Sequence, residues 1–259
     1  MTKTLRLLIP QWQGGNNPAY FLGAHLLNWL APNTNDIQEE VPVALIEDGL
    51  EVEKGIFARR TLLKQIHDTS YPLKEYMWSD DVLIEIAKML RLYHDSVSDF
   101  PFDVSWQSIE NTPQQFEVLC HNDFAIYNII FKHERPIGII DFDVAGPGTR
   151  LWDIAYTLYN CVPLSRFYLS ETGEKVYYNL LQDANRIKQR VRLFFASYGE
   201  GIEEEYLEMV LLRLEGLCKT ITRKANEGDI AFQKMIDEGH LEHYQNDIKF
   251  ILKHGIEWI

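Results

Sequence analysis

His121-Asn122-Asp123-Phe124-Ala125-Ile126-Tyr127-Asn128, followed by Ile139-Ile140-Asp141-Phe142-Asp143, is the stretch on which the fold of this chain turns. The first segment reads as a loop carrying Asp and Asn five positions apart. Residues Ile126 to Phe131 and Pro136 to Phe142 read as a small β-ribbon joined by Lys132-His133-Glu134-Arg135, ending on an acidic pair. Phosphoryl transfer from ATP needs such groups. One carboxylate accepts or orients the acceptor hydroxyl, and magnesium needs hard oxygen ligands, typically a carboxylate and an amide carbonyl, with water and phosphates completing its shell. Asp123 suits the first role; Asn128 and Asp141 suit the second. Asp and Asn are also ordinary turn residues, so the pair alone says little. The weight comes from the combination with the apolar strand before Asp141 and with Trp152-Asp153-Ile154-Ala155-Tyr156, which opens a helix behind it.

Outward from this centre the pattern is mostly helical. Ser79 is a candidate N-cap for a helix from Asp80 to about His94, whose residues Val82, Leu83, Ile86, Met89, Leu90 and Tyr93 recur every three or four positions. Val118-Leu119-Cys120 reads as a short strand. From Leu151 onward the periodicity predicts helices over 151–160, 174–198, 203–226 and 230–258. The expected fold class is α+β, mostly helical.

Residues 70–259, about three quarters of the chain, resemble the C-terminal lobe of the aminoglycoside phosphotransferase family, a branch of the protein-kinase-like fold. The family's catalytic-loop pattern, His-Gly-Asp then four residues then Asn, appears as His121-Asn122-Asp123 through Asn128. Asn122 stands where Gly is usual, a tolerable change because Asn accepts left-handed backbone better than most residues. The family's Ile-Asp-x-Asp appears as Ile140-Asp141-Phe142-Asp143. The resemblance implies that Asp123 is the catalytic base, that Asn128 and Asp141 hold Mg²⁺, that His121 and Asp143 support the site, and that Asp153 braces the catalytic loop. It implies transfer of the γ-phosphate of ATP, with GTP as the alternative nucleotide, to a hydroxyl of a small, cationic acceptor such as an aminoglycoside.

Residues 1–69 read differently: a strand over Leu5–Ile9, a helix over Ala19–Ala31, a strand over Val41–Ile46 and a helix over Ile56–Ile66. A kinase-like N-terminal lobe needs a Gly-rich strand-turn-strand and a strand lysine. Here Gly14-Gly15 runs into Asn16-Asn17-Pro18, and Lys3, Lys54 and Lys64 do not sit in a Val-Ala-Ile-Lys-like strand. Leu7 through Pro18, with Gly23 through Pro32, resembles the N-terminus of an arginase/ureohydrolase-family protein. The expected organisation is therefore a short αβ segment (1–69) in place of the usual N-lobe, joined to a kinase-like C-lobe (70–259) by gene fusion near residue 69. Ureohydrolase chemistry needs an Asp-x-His-x-Asp, which the chain lacks; the segment contains only His25 and His67. A lobe without its nucleotide clamp makes a hybrid or pseudoenzyme, binding a ligand or partner without turnover, the alternative to an active phosphotransferase. An uncovered interlobe face would favour self-association.

The chain has 259 residues, enough for one large domain or two small ones, and 46% hydrophobic residues supply a core. No apolar run is long enough for a membrane span, and no signal-peptide pattern opens the chain. Three cysteines, Cys120, Cys161 and Cys218, are too few for a disulfide framework, which points to a reducing cytoplasm. A net charge of −13 argues against nucleic-acid partners and suits cationic small molecules. His240 and His243 read as surface histidines, Cys120 as a buried thiol, and Trp152, Tyr156 and Tyr159 as core. Glu203-Glu204-Glu205 and Glu208 form an acidic cluster that complements a helix start, with contact to substrate amines as its functional reading.

Overall fold

The computed structural model describes residues 6–7, 73–99, 108–139, 141–142, 144–199 and 205–259. The strands and helices expected within residues 1–69, and with them the arginase-like fragment, lie outside this set apart from Arg6–Leu7 (β1), which pairs in parallel with a later strand.

Asp80–Ser96 forms helix α1. The Ser79 hydroxyl accepts a hydrogen bond from the Val82 amide, and Asp80 and Asp81 occupy the first turn, where a carboxylate complements the helix dipole. Its buried stripe includes Val82, Leu83, Ile86, Leu90 and Tyr93, and the helix packs against the long helix over Leu180–Tyr198. Strand β2 (Val118–Cys120) leads into the loop at His121. After it come a 3₁₀ turn (Ile126–Asn128) and the hairpin β3 (Ile129–Lys132) and β4 (Arg135–Ile139). His133 and Glu134 both have positive φ, 50° and 61°, the backbone that a two-residue hairpin turn demands. β4 lies between β1 and β3, while β2 pairs antiparallel with β5 (Gly146–Gly148). That pairing is close: a Cβ on Gly148 would lie 2.8 Å from the Cys120 sulfur.

Helix α2 (Arg150–Cys161) starts directly after β5, with the Thr149 hydroxyl accepting from the Trp152 amide at 3.1 Å. The hairpin β6 (Phe167–Leu169) and β7 (Lys175–Tyr177) precedes α3 (Leu180–Tyr198), capped by the Asn179 side chain. The single helix expected over 174–198 is thus a strand and then a shorter helix, because Gly173 at φ 80° turns the chain and the Asn179 cap starts the helix afresh. Helix α4 (Tyr206–Asn226) packs on α2, on α5 (Ile230–Asp237) and on α6 (His240–His254). The expected 230–258 helix breaks at Gly239, φ 82°, and ends in a 3₁₀ turn at Gly255–Trp258. Trp152, Phe124, Phe194, Phe195 and Trp258 are almost wholly buried. Each such aromatic contributes on the order of 2–3 kcal/mol by removal from water. No helix among the described residues is long and apolar enough to cross a membrane.

Candidate active site

Asp153 organises the loop that follows β2. It sits in the first turn of α2, fully buried, and its two oxygens accept from the backbone amides of His121 at 2.7 Å and Asn122 at 2.9 Å. His94 of α1 reaches the same carboxylate through Nε2 at 3.2 Å, and its Nδ1 lies 2.7 Å from the Tyr198 hydroxyl of α3. Burial opposes charge on Asp153, yet the bond from His94 and the charges and amides around it hold its carboxyl below the usual carboxylate range. The result is a fixed anion to which the start of the loop is tied.

Asn122 turns the chain at φ 65°, in the left-handed region its residue type tolerates. The turn carries Asp123 outward, and the Asp123 amide donates to His121 Nδ1 at 3.2 Å. His121 is buried against Phe142, with ring centroids 4.4 Å apart, so it supports the loop from behind. The half-buried Asp123 carboxylate accepts from the Tyr127 hydroxyl at 2.7 Å on one oxygen and from Asn128 Nδ2 at 2.8 Å on the other. Burial pushes Asp123 up to about 6; the bonds from Tyr127 and Asn128 pull it down, nearby Asp141 pushes it further up, and Arg213 opposes that rise. A carboxylate with this pKa is mostly ionised at neutral pH and a stronger base than an exposed one.

Asn128 commits its amide nitrogen to Asp123 twice, to the side chain and to the backbone carbonyl at 2.9 Å. Both partners are oxygens, so the orientation of this amide is determined, and its carbonyl oxygen is the atom left for a cation. Asp141 follows β4 at φ 70° with its side chain exposed. One carboxylate and one amide oxygen are the sparse kind of donor set that would suit Mg²⁺ if phosphates and water completed the shell. No group of three His, Cys, Asp or Glu that could hold a metal is present among the described residues. Asp143 lies outside them.

Four side chains at this site were not expected from the sequence. Tyr127 lies inside the loop motif. Its hydroxyl is 3.2 Å from that of Tyr156 on α2, and Tyr244 on α6 joins the same group. Burial pushes Tyr156 up to about 12 and raises Tyr127 and Tyr244 well above the usual phenol, so all three stay protonated at neutral pH. Arg213 of α4 is buried, donates to the Asn122 carbonyl at 2.6 Å and lies 4.5 Å and 5.2 Å from the Tyr156 and Trp152 ring centroids. His94 completes the set. Two of these carried a signal: Arg213 falls three residues after Val210, and His94 four after Leu90, each a polar group on an otherwise apolar helical stripe. Trp152, Tyr156 and Tyr159 are buried as expected, but their polar atoms are used: Trp152 Nε1 donates to Asn122, and Tyr159 donates to Asp247 at 2.7 Å.

Cys120 is buried, and burial raises its thiol well above the usual value. His240 is exposed. His243 is half-buried and pairs with Asp247 at 3.2 Å, a link within α6. Glu205 and Glu208 are exposed at the start of α4, and Glu203 and Glu204 lie outside the described residues.

The sequence matches the profile of the phosphotransferase enzyme family over residues 59–194, a little over half of the chain. A trifolitoxin immunity protein from Rhizobium leguminosarum bv. trifolii is 28% identical over 126 residues; the match covers 47% of this chain and spans 46% of that relative's length. A crystal structure of a protein from Ralstonia eutropha JMP134, provisionally named an aminoglycoside phosphotransferase, aligns over 71% of this chain and 68% of its own at 13% identity, with a TM-score of 0.43.

Proposed function

This chain belongs to the phosphotransferase enzyme family, and from that premise we propose that it transfers the γ-phosphate of ATP to a hydroxyl of a small, amine-bearing acceptor. The observation that carries the proposal is the Asp123 carboxylate, held between Tyr127 and Asn128 with its pKa pushed up to about 6. In the proposed reaction the acceptor oxygen bonds to the γ-phosphorus as the bond from that phosphorus to the β–γ bridging oxygen breaks. The acceptor proton passes to Asp123 and ADP leaves. Such transition states are loose, so positioning and electrostatics supply most of the catalysis. Tyr127 and Asn128 hold the base in one rotamer. Asp153, His94 and His121 hold the loop that presents it. Asn128 through its carbonyl oxygen and Asp141 through its carboxylate would hold Mg²⁺, which when bound neutralises phosphate charge. The net charge of −13 favours a cationic acceptor.

The test is ADP release from Mg-ATP in the presence of a panel of amino alcohols and aminoglycosides, comparing the native chain with Asp123→Asn. The proposal expects acceptor-dependent release that the substitution cuts by a factor of about 10²–10⁴. Acceptor binding with no ADP release from the native chain would support a ligand-binding pseudoenzyme instead. Equal release by the two proteins would remove Asp123 from the chemistry.

A further inference from the structure

Asn122 does more than turn the loop. It is 2% exposed, and each of its four polar groups is hydrogen-bonded in a different direction. Its backbone amide donates to Asp153 and its carbonyl accepts from Arg213. Its side chain makes the other two bonds: Nδ2 donates to the Val144 carbonyl at 3.0 Å, and Oδ1 accepts from Trp152 Nε1 at 2.9 Å. Glycine, the residue that the resemblance leads one to expect here, would keep the left-handed backbone and both backbone bonds. The side-chain bonds are therefore an addition that the turn itself does not require.

The Val144 bond reaches into the segment that carries Asp141. Asp141 leaves β4 with a left-handed backbone, outside the β3–β4 ladder, and the chain then turns, with the Ala145 amide donating to the Phe142 carbonyl at 3.0 Å. Among the described residues, the Phe142 ring lies against His121 and the Val144 carbonyl accepts from the Asn122 side-chain amide, and both contacts join this turn to the loop after β2. The ring contact permits sliding; the hydrogen bond fixes a distance and a direction. We propose that the Asn122 side chain is a positioning strut that sets the Asp141 turn against the loop bearing Asp123 and Asn128. Its consequence for metal binding rests on the phosphotransfer proposal above; the strut itself does not.

Two variants test it. Asn122→Gly removes both side-chain bonds and keeps the backbone turn. Asn122→Asp keeps an acceptor for Trp152 Nε1 but places an oxygen against the Val144 carbonyl. Hydrogen exchange followed by mass spectrometry reads the strut without any turnover. Exchange of the peptide spanning 141–145 is expected to speed up at least tenfold in both variants, while peptides from α1 and α3 exchange as in the native chain. The second readout is the Mg²⁺ concentration giving half-maximal ADP release, expected to rise at least tenfold with a smaller change in acceptor KM. Native exchange at 141–145 in both variants would overturn the strut. Faster exchange with an unchanged Mg²⁺ curve would overturn its service to the metal. If the native chain releases no ADP, the phosphotransfer proposal fails, and exchange still decides the strut.

Discussion

Tyr127 and Asp123 show how one hydrogen bond tunes a carboxylate. The Tyr127 hydroxyl donates to the ionised carboxylate and so lowers a pKa that burial raises. Tyr127→Phe deletes that donor and keeps the ring. The acid limb of the rate profile, expected near pH 6 in the native chain, should move upward by about half to one pH unit, read from kcat/KM against pH. A limb that stays in place would mean that Asp123 does not govern it. Stability follows the same group with the opposite dependence to an ordinary paired carboxylate. Folded Asp123 keeps its proton to about pH 6, against 3.8 for the ordinary group. Between those values the folded state binds more protons, so ionisation lowers stability as pH rises through the window. Asp123→Asn should therefore stabilise the fold at pH 7 by about 1–2 kcal/mol, discounted for the solvent that reaches a half-buried group, with the gain lost below pH 4. Thermal melts at both pH values check this. The sequence singles out the motif residues by type and spacing, and the structure brings Asp123 onto Asn128 and ties His121 to Asp153. Tyr127 was not legible there, since nothing in a loop sequence tells which side chain will fold back onto a neighbouring carboxylate.

Elements were legible where periodicity ran uninterrupted. α1 and α2 fall within two residues of their expected bounds because each has an oxygen side chain at its N-cap and an apolar stripe behind it. The pattern misled where short-range chemistry overrode it. Lys175-Val176-Tyr177 scans as part of a helix, yet pairs with Phe167–Leu169 once Gly173 reverses the chain. Gly239 splits one expected helix into two. Gly216, by contrast, lies within α4 for a reason sequence alone does not reveal: a Cβ there would stand 2.0 Å from the Glu110 carbonyl oxygen. Gly216→Ala gains about 1 kcal/mol of helix propensity but must push α4 off that segment. A net loss of about 2 kcal/mol or more is expected, measured by urea unfolding. An unchanged midpoint would show that the Glu110 segment yields freely.

For the whole molecule, what the sequence withheld is which elements meet. Asp153 gathers α1, α2 and the loop after β2 around one buried charge, and Arg213 brings α4 to the same place. Those are contacts across 31 to 91 positions of sequence, set by packing and not by local pattern. Cysteine burial is a property of the same scale. Burial raises all three thiols, with Cys120 and Cys161 inside the core and Cys218 half-buried on α4. Alkylation at pH 7.5 should therefore be slow throughout, with Cys218 modified first and Cys120 and Cys161 only on unfolding. Mass spectrometry of the time course checks the order; early labelling of Cys120 would contradict the packing of β2 against β5. The central claim is that the loop carrying Asp123 and Asn128 and the turn carrying Asp141 form one nucleotide-and-metal site. Its most direct test is calorimetric titration of Mg-ATP into the native chain and into Asp141→Ala. Saturable binding that the substitution weakens at least tenfold is the predicted result. Absence of binding to the native chain, or equal binding to both proteins, would contradict the account.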